Sequence, residues 1–181
     1  MSCLHRTLIA FALLGLSAPA ACAAGSFAPI ASPSPGGAWT DEYGNAITLA
    51  EFRGAPVVLT AIYTSCTIRC PLTVEKLRAV DEAFRKEGRS FSVVILTLDP
   101  AVDTPERLQR FKRERGLPAH WHFFRGSDAD TRALARALRV DPAFDVGHID
   151  HNVRILVLDA GGYAARAFSG WDFAPDEAVV R

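Results

Sequence analysis

The sequence predicts an α/β sandwich, and three observations carry that prediction. Two short runs, Val57-Val58-Leu59-Thr60-Ala61-Ile62-Tyr63 and Val93-Val94-Ile95-Leu96, are apolar almost throughout and rich in β-branched residues, as central strands covered on both faces are. Helical patterns lie between and after them, supplying the crossovers that parallel strands need. Late in the chain, Gly161-Gly162 separates two further strand-like runs and reads as a hairpin turn.

The chain-level numbers bound the rest. At 181 residues the chain holds one domain with a substantial core, and 49% hydrophobic with 22% charged residues is a globular balance. Twenty basic residues face twenty acidic ones, so no global field draws in nucleic acid or an anionic membrane. Neither GxxxxGK nor GxGxxG occurs, which demotes nucleotide chemistry. Residues 1–24 read as a cleavable secretory signal peptide: His5 and Arg6 precede the uncharged run Leu8 to Leu16, too short to span a bilayer. Ala18-Pro19-Ala20 and Ala21-Cys22-Ala23 each fit a small-x-small cleavage site. A lipid anchor at Cys22 is the lesser alternative, because Pro19 stands where such signals usually carry an aliphatic residue. Membrane contact is therefore expected only through a partner or such an anchor. Cleavage removes Cys3 and Cys22 and leaves Cys66 and Cys70 as the mature pair, in an oxidising compartment.

In chain order, residues 25–36 are Ser-, Pro-, Ala- and Gly-rich and form a flexible linker. A domain over 37–181 follows. Trp39 to Phe52 resembles a hairpin around Asp41-Glu42-Tyr43-Gly44-Asn45, closed by Arg53-Gly54. After the first buried strand, a helix over Pro71 to Glu87 carries the apolar stripe Leu72, Leu77, Val80 and Phe84. The second strand lies within Ser90 to Asp99. Thr104 caps a helix that opens with Pro105, runs through Arg115 and is stopped by Gly116. Trp121 to Phe124 is a short strand, and Ser127 caps a helix through Leu138. Asp141 to Asn152 has no period and reads as loop, Val153 to Asp159 and Tyr163 to Phe168 form the closing hairpin, and Pro175 opens a last helix. A thioredoxin-like α/β sandwich with an added N-terminal β-hairpin fits this order.

The strand-to-helix junction of that sandwich bears Cys66-Thr67-Ile68-Arg69-Cys70-Pro71. Residues i and i+4 share a helix face, so if the turn after the strand is already helical both sulfurs point one way and permit a disulfide, a two-thiolate metal clamp, or each in turn. Two buried thiols with no chemistry are the plain alternative. A helix N-terminus, with Arg69 nearby, lowers a thiol pKa and favours the reactive thiolate. His148 and His151 lie just before the Val153 strand, facing the dithiol, where thioredoxins place a cis-proline; no proline stands between Phe144 and Val153. His120 and His122 alternate around Trp121 and would share a strand face able to chelate, although surface imidazoles are commoner. Two thiolates and one imidazole form a soft set that suits copper(I) and accepts copper(II); zinc is not excluded.

These motifs resemble the Sco/SenC family of thioredoxin-like copper proteins. The likeness rests on Tyr63-Thr64-Ser65-Cys66-Thr67-Ile68-Arg69-Cys70-Pro71, on Leu98-Asp99-Pro100 followed by Asp103-Thr104-Pro105-Glu106, and on Asp150-His151, and spans about Gly37 to Asp172. The resemblance implies that Cys66, Cys70 and His151 are copper ligands. It also implies a periplasmic metallochaperone serving the copper subunit of cytochrome c oxidase or a related respiratory oxidase, with a thiol reductase and another copper chaperone as further partners. Asn152 stands where the family usually has Ser or Thr. Asp99 and Asp103 read as solvated helix-cap carboxylates, with a partner-contacting acidic edge as the lesser alternative. The competing function is a thiol:disulfide oxidoreductase acting on the oxidase's copper-site cysteines, with Cys66 attacking and Cys70 resolving. A peroxidase is disfavoured, since no PxxxTxxC setting occurs.

Overall fold

The computed structural model describes residues 38–145 and 148–180. Among these, five strands form one sheet: β1 (Val57–Ile62), β2 (Ser92–Thr97), β3 (Trp121–Phe124), β6 (Arg154–Leu158) and β7 (Ala164–Ser169), in spatial order β3-β2-β1-β6-β7. β1 and β2 pair in parallel, as do β2 and β3, while β6 and β7 run antiparallel. Every residue of β1 is buried, as its unbroken apolar run requires of a strand with layers on both sides. Helices α1 (Arg69–Lys86), α2 (Pro105–Glu114) and α3 (Asp128–Ala137) complete the thioredoxin-like sandwich. The signal peptide of 1–24 and the linker of 25–36 lie outside the described residues. No helix among the described residues is long and apolar enough to cross a membrane.

β3 shows how the layers are assembled. Trp121 donates its indole N–H to Asp81 of α1 (2.8 Å), and Phe123 meets Phe111 of α2 edge-on at 5.9 Å, so both helices cover this face. Phe124 points the other way, to Trp39 and Phe52, each at 6.0 Å. Gly126 follows because Trp39 leaves it no room: a Cβ there would stand 2.9 Å from the indole ring. The buried Glu42 accepts from the Phe123 amide at 2.9 Å and pairs with Lys112 of α2 at 2.5 Å; Lys112 also donates to the Trp121 carbonyl.

The caps behave as their chemistry dictates. The Thr104 and Ser127 side chains accept from the amides of Arg107 and Asp130, three residues on. Four expectations need correcting. The hairpin over Trp39 to Phe52 shrinks to one bridge, Thr40 to Ala46, because the Asp41 carboxylate draws the Tyr43 and Asn45 amides into a tight turn and Leu49–Phe52 coils into a 3-10 turn. Asp141 to Asn152 is not all loop: β4 (Ala143–Asp145) and β5 (His148–Asp150) pair antiparallel as a separate ribbon. The last helix is a single 3-10 turn, Pro175–Ala178. Finally, Leu72 is 52% exposed. The buried stripe of α1 is Cys70, Val74, Leu77, Val80 and Phe84, and Leu72 lies about 200° around the helix from Cys70.

Phe84, stacked on Phe91 at 4.3 Å, is fully buried. Phe84→Ala is expected to lower unfolding free energy by about 3–5 kcal/mol. Leu72→Ala should stay within about 0.5 kcal/mol, and urea unfolding monitored by circular dichroism checks both.

Candidate metal centre

β1 ends in the buried Tyr63, and the chain turns at once, with the Cys66 amide donating to the Tyr63 carbonyl at 3.2 Å. α1 then starts at Arg69, so Pro71 occupies its third position, where a missing N–H still has no intrahelical partner to lose. Cys66 and Cys70 are both buried, free thiols, and the Cys70 amide donates to Cys66 Sγ at 3.3 Å. Their ionisation diverges. Burial opposes the Cys66 thiolate, but donors from Cys70, Ile68 and Arg69 outweigh it and hold the thiol below its ordinary range. Cys70 is pushed far up, chiefly by burial; the Tyr63 backbone opposes this, and Cys66 and Asp103 add to it. Cys66 is thus the more readily ionised of the two.

The turn is held by a residue that the sequence reading put in solvent. Asp103 is fully buried. Its carboxylate accepts from the Thr64 amide at 3.1 Å and from the hydroxyls of Thr64 and Thr97. Burial raises its pKa, against those hydrogen bonds. The cap of α2 is Thr104, which frees Asp103 to turn inward. Asp99 is only partly buried, and its carbonyl accepts from the Asp103 amide.

The β4–β5 ribbon and the residues after it form the facing wall. The Ile149 amide donates to the Tyr63 hydroxyl at 3.4 Å, and burial, opposed by that bond and reinforced by the nearby Cys66 and Cys70 sulfurs, pushes Tyr63 up to about 12. His151 is 5% exposed, its ring 6.0 Å from that of Tyr63. Its Nδ1 lies 3.0 Å from the Asn152 carbonyl. A carbonyl only accepts, so Nδ1 carries the proton and the lone pair sits on Nε2, the arrangement of a ligating imidazole. Arg69, expected to act on the thiols, reaches across instead: its guanidinium donates to Asp150 Oδ1 at 2.8 Å and to the His151 carbonyl at 2.9 Å. The two sulfurs are therefore gathered, with the imidazole buried in the adjoining wall. Among the described residues no three His, Cys, Asp or Glu side chains converge closely enough to hold a metal as they stand.

The other histidines part company. His122 sits half-buried against Phe52 at 5.0 Å, its pKa lowered mainly by burial. His120, just ahead of β3, brings Nε2 within 2.8 Å of Asp81 on α1, on the opposite side of the sheet. They share no face and form no chelating pair. The side chain of His148 is outside the described set.

Residues 38–180 match the family model for SCO1/SenC. The chain belongs to the SCO1/SenC family. Its likeness includes protein sco1 of Schizosaccharomyces pombe, 26% identical over 157 residues, 78% of this chain; the chain spans 57% of that relative's length. Among solved structures it superposes on Arabidopsis thaliana ScoI with copper bound at a TM-score of 0.70, with 20% identity, covering 79% of this chain and 91% of that one. BsSco, described as a Sco-family cytochrome c oxidase assembly protein with a disulfide switch, superposes at 0.66 with 17% identity over 77% and 84% of the two chains. These likenesses fix the thioredoxin-like fold of this family member.

Two outcomes test the site. Iodoacetamide labelling against pH, read by mass spectrometry after tryptic cleavage at Arg69, should show Cys66 reacting with a midpoint below the ordinary thiol value of 9.0 and Cys70 protected well above it. The unfolded chain would ionise Cys70 first, so that residue costs the fold stability as pH rises past the ordinary value; Cys66 contributes stability there and loses it as pH falls through its lowered pKa. Arg69→Ala should speed amide hydrogen exchange of residues 148–152 several-fold. Global stability should change by less than about 1 kcal/mol, since the ion pair is half-exposed.

Proposed function

We propose that this SCO1/SenC protein is a periplasmic copper carrier that binds the ion through Cys66, Cys70 and His151. It would deliver the ion during assembly of the copper centre of cytochrome c oxidase or a related respiratory oxidase. The observation that carries the proposal is the free, buried Cys66–Cys70 pair beside a buried imidazole whose Nδ1 is committed to a backbone carbonyl. Soft thiolate with imidazole is a donor set suited to copper(I). Relatives of the same fold crystallised with copper bound support the choice of metal.

Copper is cargo, so the work of the chain is to hold and release it. Cys66 ionises readily, and Cys70 must shed its proton as the metal arrives. Loading draws the His151 segment toward the sulfurs, and Arg69, tied to both walls, limits how far that segment strays. Release proceeds by exchange, the recipient's donors replacing Cys66, Cys70 and His151 in turn. Oxidation to a Cys66–Cys70 disulfide removes two electrons and two protons and abolishes both thiolates, so a reductase upstream would keep the carrier loadable.

A thiol:disulfide oxidoreductase acting on the oxidase's cysteines is the second reading, favoured by the split between a low-pKa Cys66 and a shielded Cys70. Copper(I) stoichiometry of the reduced protein, measured against a competing chelator, separates the two. The carrier should retain one copper per chain, and Cys70→Ser and His151→Ala should each weaken retention by more than about a hundredfold, beyond the roughly 10–100-fold typical of second-layer changes. On the oxidoreductase reading, His151→Ala keeps function and Cys70→Ser loses it; that pattern, with less than about half an equivalent bound, overturns the carrier.

A further inference from the structure

Beside the dithiol lies a cleft of about 280 Å3 that the copper chemistry leaves unused. Thr64, two residues before Cys66, lines one side, and Arg107, Arg110, Phe111 and Glu114 of α2 line the other. The chain as a whole is neutral, yet residues 105–115 carry five basic residues against Glu106 and Glu114. Their charges are not equivalent. Lys112 is consumed by the buried Glu42, and the Arg115 guanidinium lies over the Phe111 ring at 4.4 Å. Arg113 borders a different hollow. Arg107 and Arg110 are the ones that face the cleft.

Arg107 is fixed there. Its Nε donates to Thr64 Oγ1 at 2.7 Å, which sets the outer fork of the guanidinium next to the cysteine turn. The Asp103 carboxylate 3.8 Å from that nitrogen is buried and already ringed by the Thr64 and Thr97 donors. Arg110, one turn along, is exposed and lines the same cleft. Glu114 stands seven residues beyond Arg107, about 10 Å along the helix, and repels an anion from the far end. The attraction is therefore strongest at the end nearest Cys66.

We propose that this cleft receives a carboxylate from an acidic segment of the protein that exchanges metal or electrons with Cys66 and Cys70. The proposal rests on the preceding reading only in requiring that a protein partner come to the dithiol. A guanidinium fork binds a carboxylate through two parallel hydrogen bonds, and two such cations on one side of a cleft favour an anion there. A protein segment fits better than a free anion because apolar side chains flank the same turn. Ile68 is 74% exposed and Val102, adjacent to Asp103, is 41% exposed. A small anion gains nothing from those side chains, whereas a polypeptide covers them as its carboxylate docks. Charges in such a position act mainly on encounter rate and orientation.

The test is a titration of the reduced, 15N-labelled full chain with two cysteine-free decapeptides, identical except that two Glu in one are Gln in the other. The Glu peptide should bind at least about fivefold more tightly, weaken with added salt and shift the amides of Thr64 and of residues 107–111. Arg110→Glu and Arg110→Gln should erase the preference, and Arg113→Glu, with the same charge change outside the cleft, should keep it within about twofold. Equal binding of the two peptides, or equal loss in the Arg110 and Arg113 variants, overturns the proposal. Free glutamate or inorganic phosphate binding as tightly as the Glu peptide also overturns it, in favour of a small-anion site. Copper retention by the unmodified chain is measured separately, so failure of the carrier reading leaves this result distinct.

Discussion

Asp103 is sealed from solvent with its carboxylate set against the Thr64 amide and the hydroxyls of Thr64 and Thr97, so the ends of β1 and β2 and the start of α2 meet at one side chain. A buried carboxylate without donors is strongly unfavourable, and leaving even one donor or acceptor unsatisfied costs about 1–3 kcal/mol. The three segments are therefore held in one mutual arrangement, and the turn carrying Cys66 inherits it. The same charge bears on chemistry. Burial chiefly opposes ionisation of Cys70 and this charge adds to it, while Cys66 collects backbone donors, so two identical thiols four residues apart become different acids.

The opposite wall is tied to this one by two residues of the motif itself. Tyr63 meets Ile149 through its hydroxyl, and Arg69 meets Asp150 and the carbonyl of His151. The ion pair of Arg69 is half-exposed and worth little as stability. Its value is directional: it specifies which stretch of the late ribbon faces the sulfurs. Dithiol and imidazole are thereby mechanically coupled even though they are 81 residues apart in the chain.

Much of this was legible in the sequence, for reasons that are local. The apolar runs of β1 and β2 fix strands buried on both faces, and Thr104 with Pro105 and Ser127 announce helix starts through bonds spanning only three residues. The place of His151 just before β6 was legible too, and its ring lies buried beside Tyr63. What stayed hidden depends on distant partners. Asp103 looks like a cap carboxylate until the Thr64 donors, 39 residues away, close over it. Arg69 looks like a charge for the thiols until Asp150 draws it aside. The shared face expected of His120 and His122 fails because Asp81 and Phe52 claim them from opposite sides of the sheet. β4 and β5 are three residues each, too short to show a period.

The buried pair of Glu42 and Lys112 has a further consequence. β3 borders the sheet, and its outward-facing backbone groups recur at every second residue. Lys112 takes the carbonyl of Trp121, Glu42 takes the amide of Phe123, and Thr40 exchanges both of its backbone bonds with Arg125. The border is plugged by a turn and an ion pair, with no added strand. Another chain meeting this side finds no ladder to extend, so the protein is guarded here against edge-to-edge aggregation while its thiols sit past the end of β1, two strands inward.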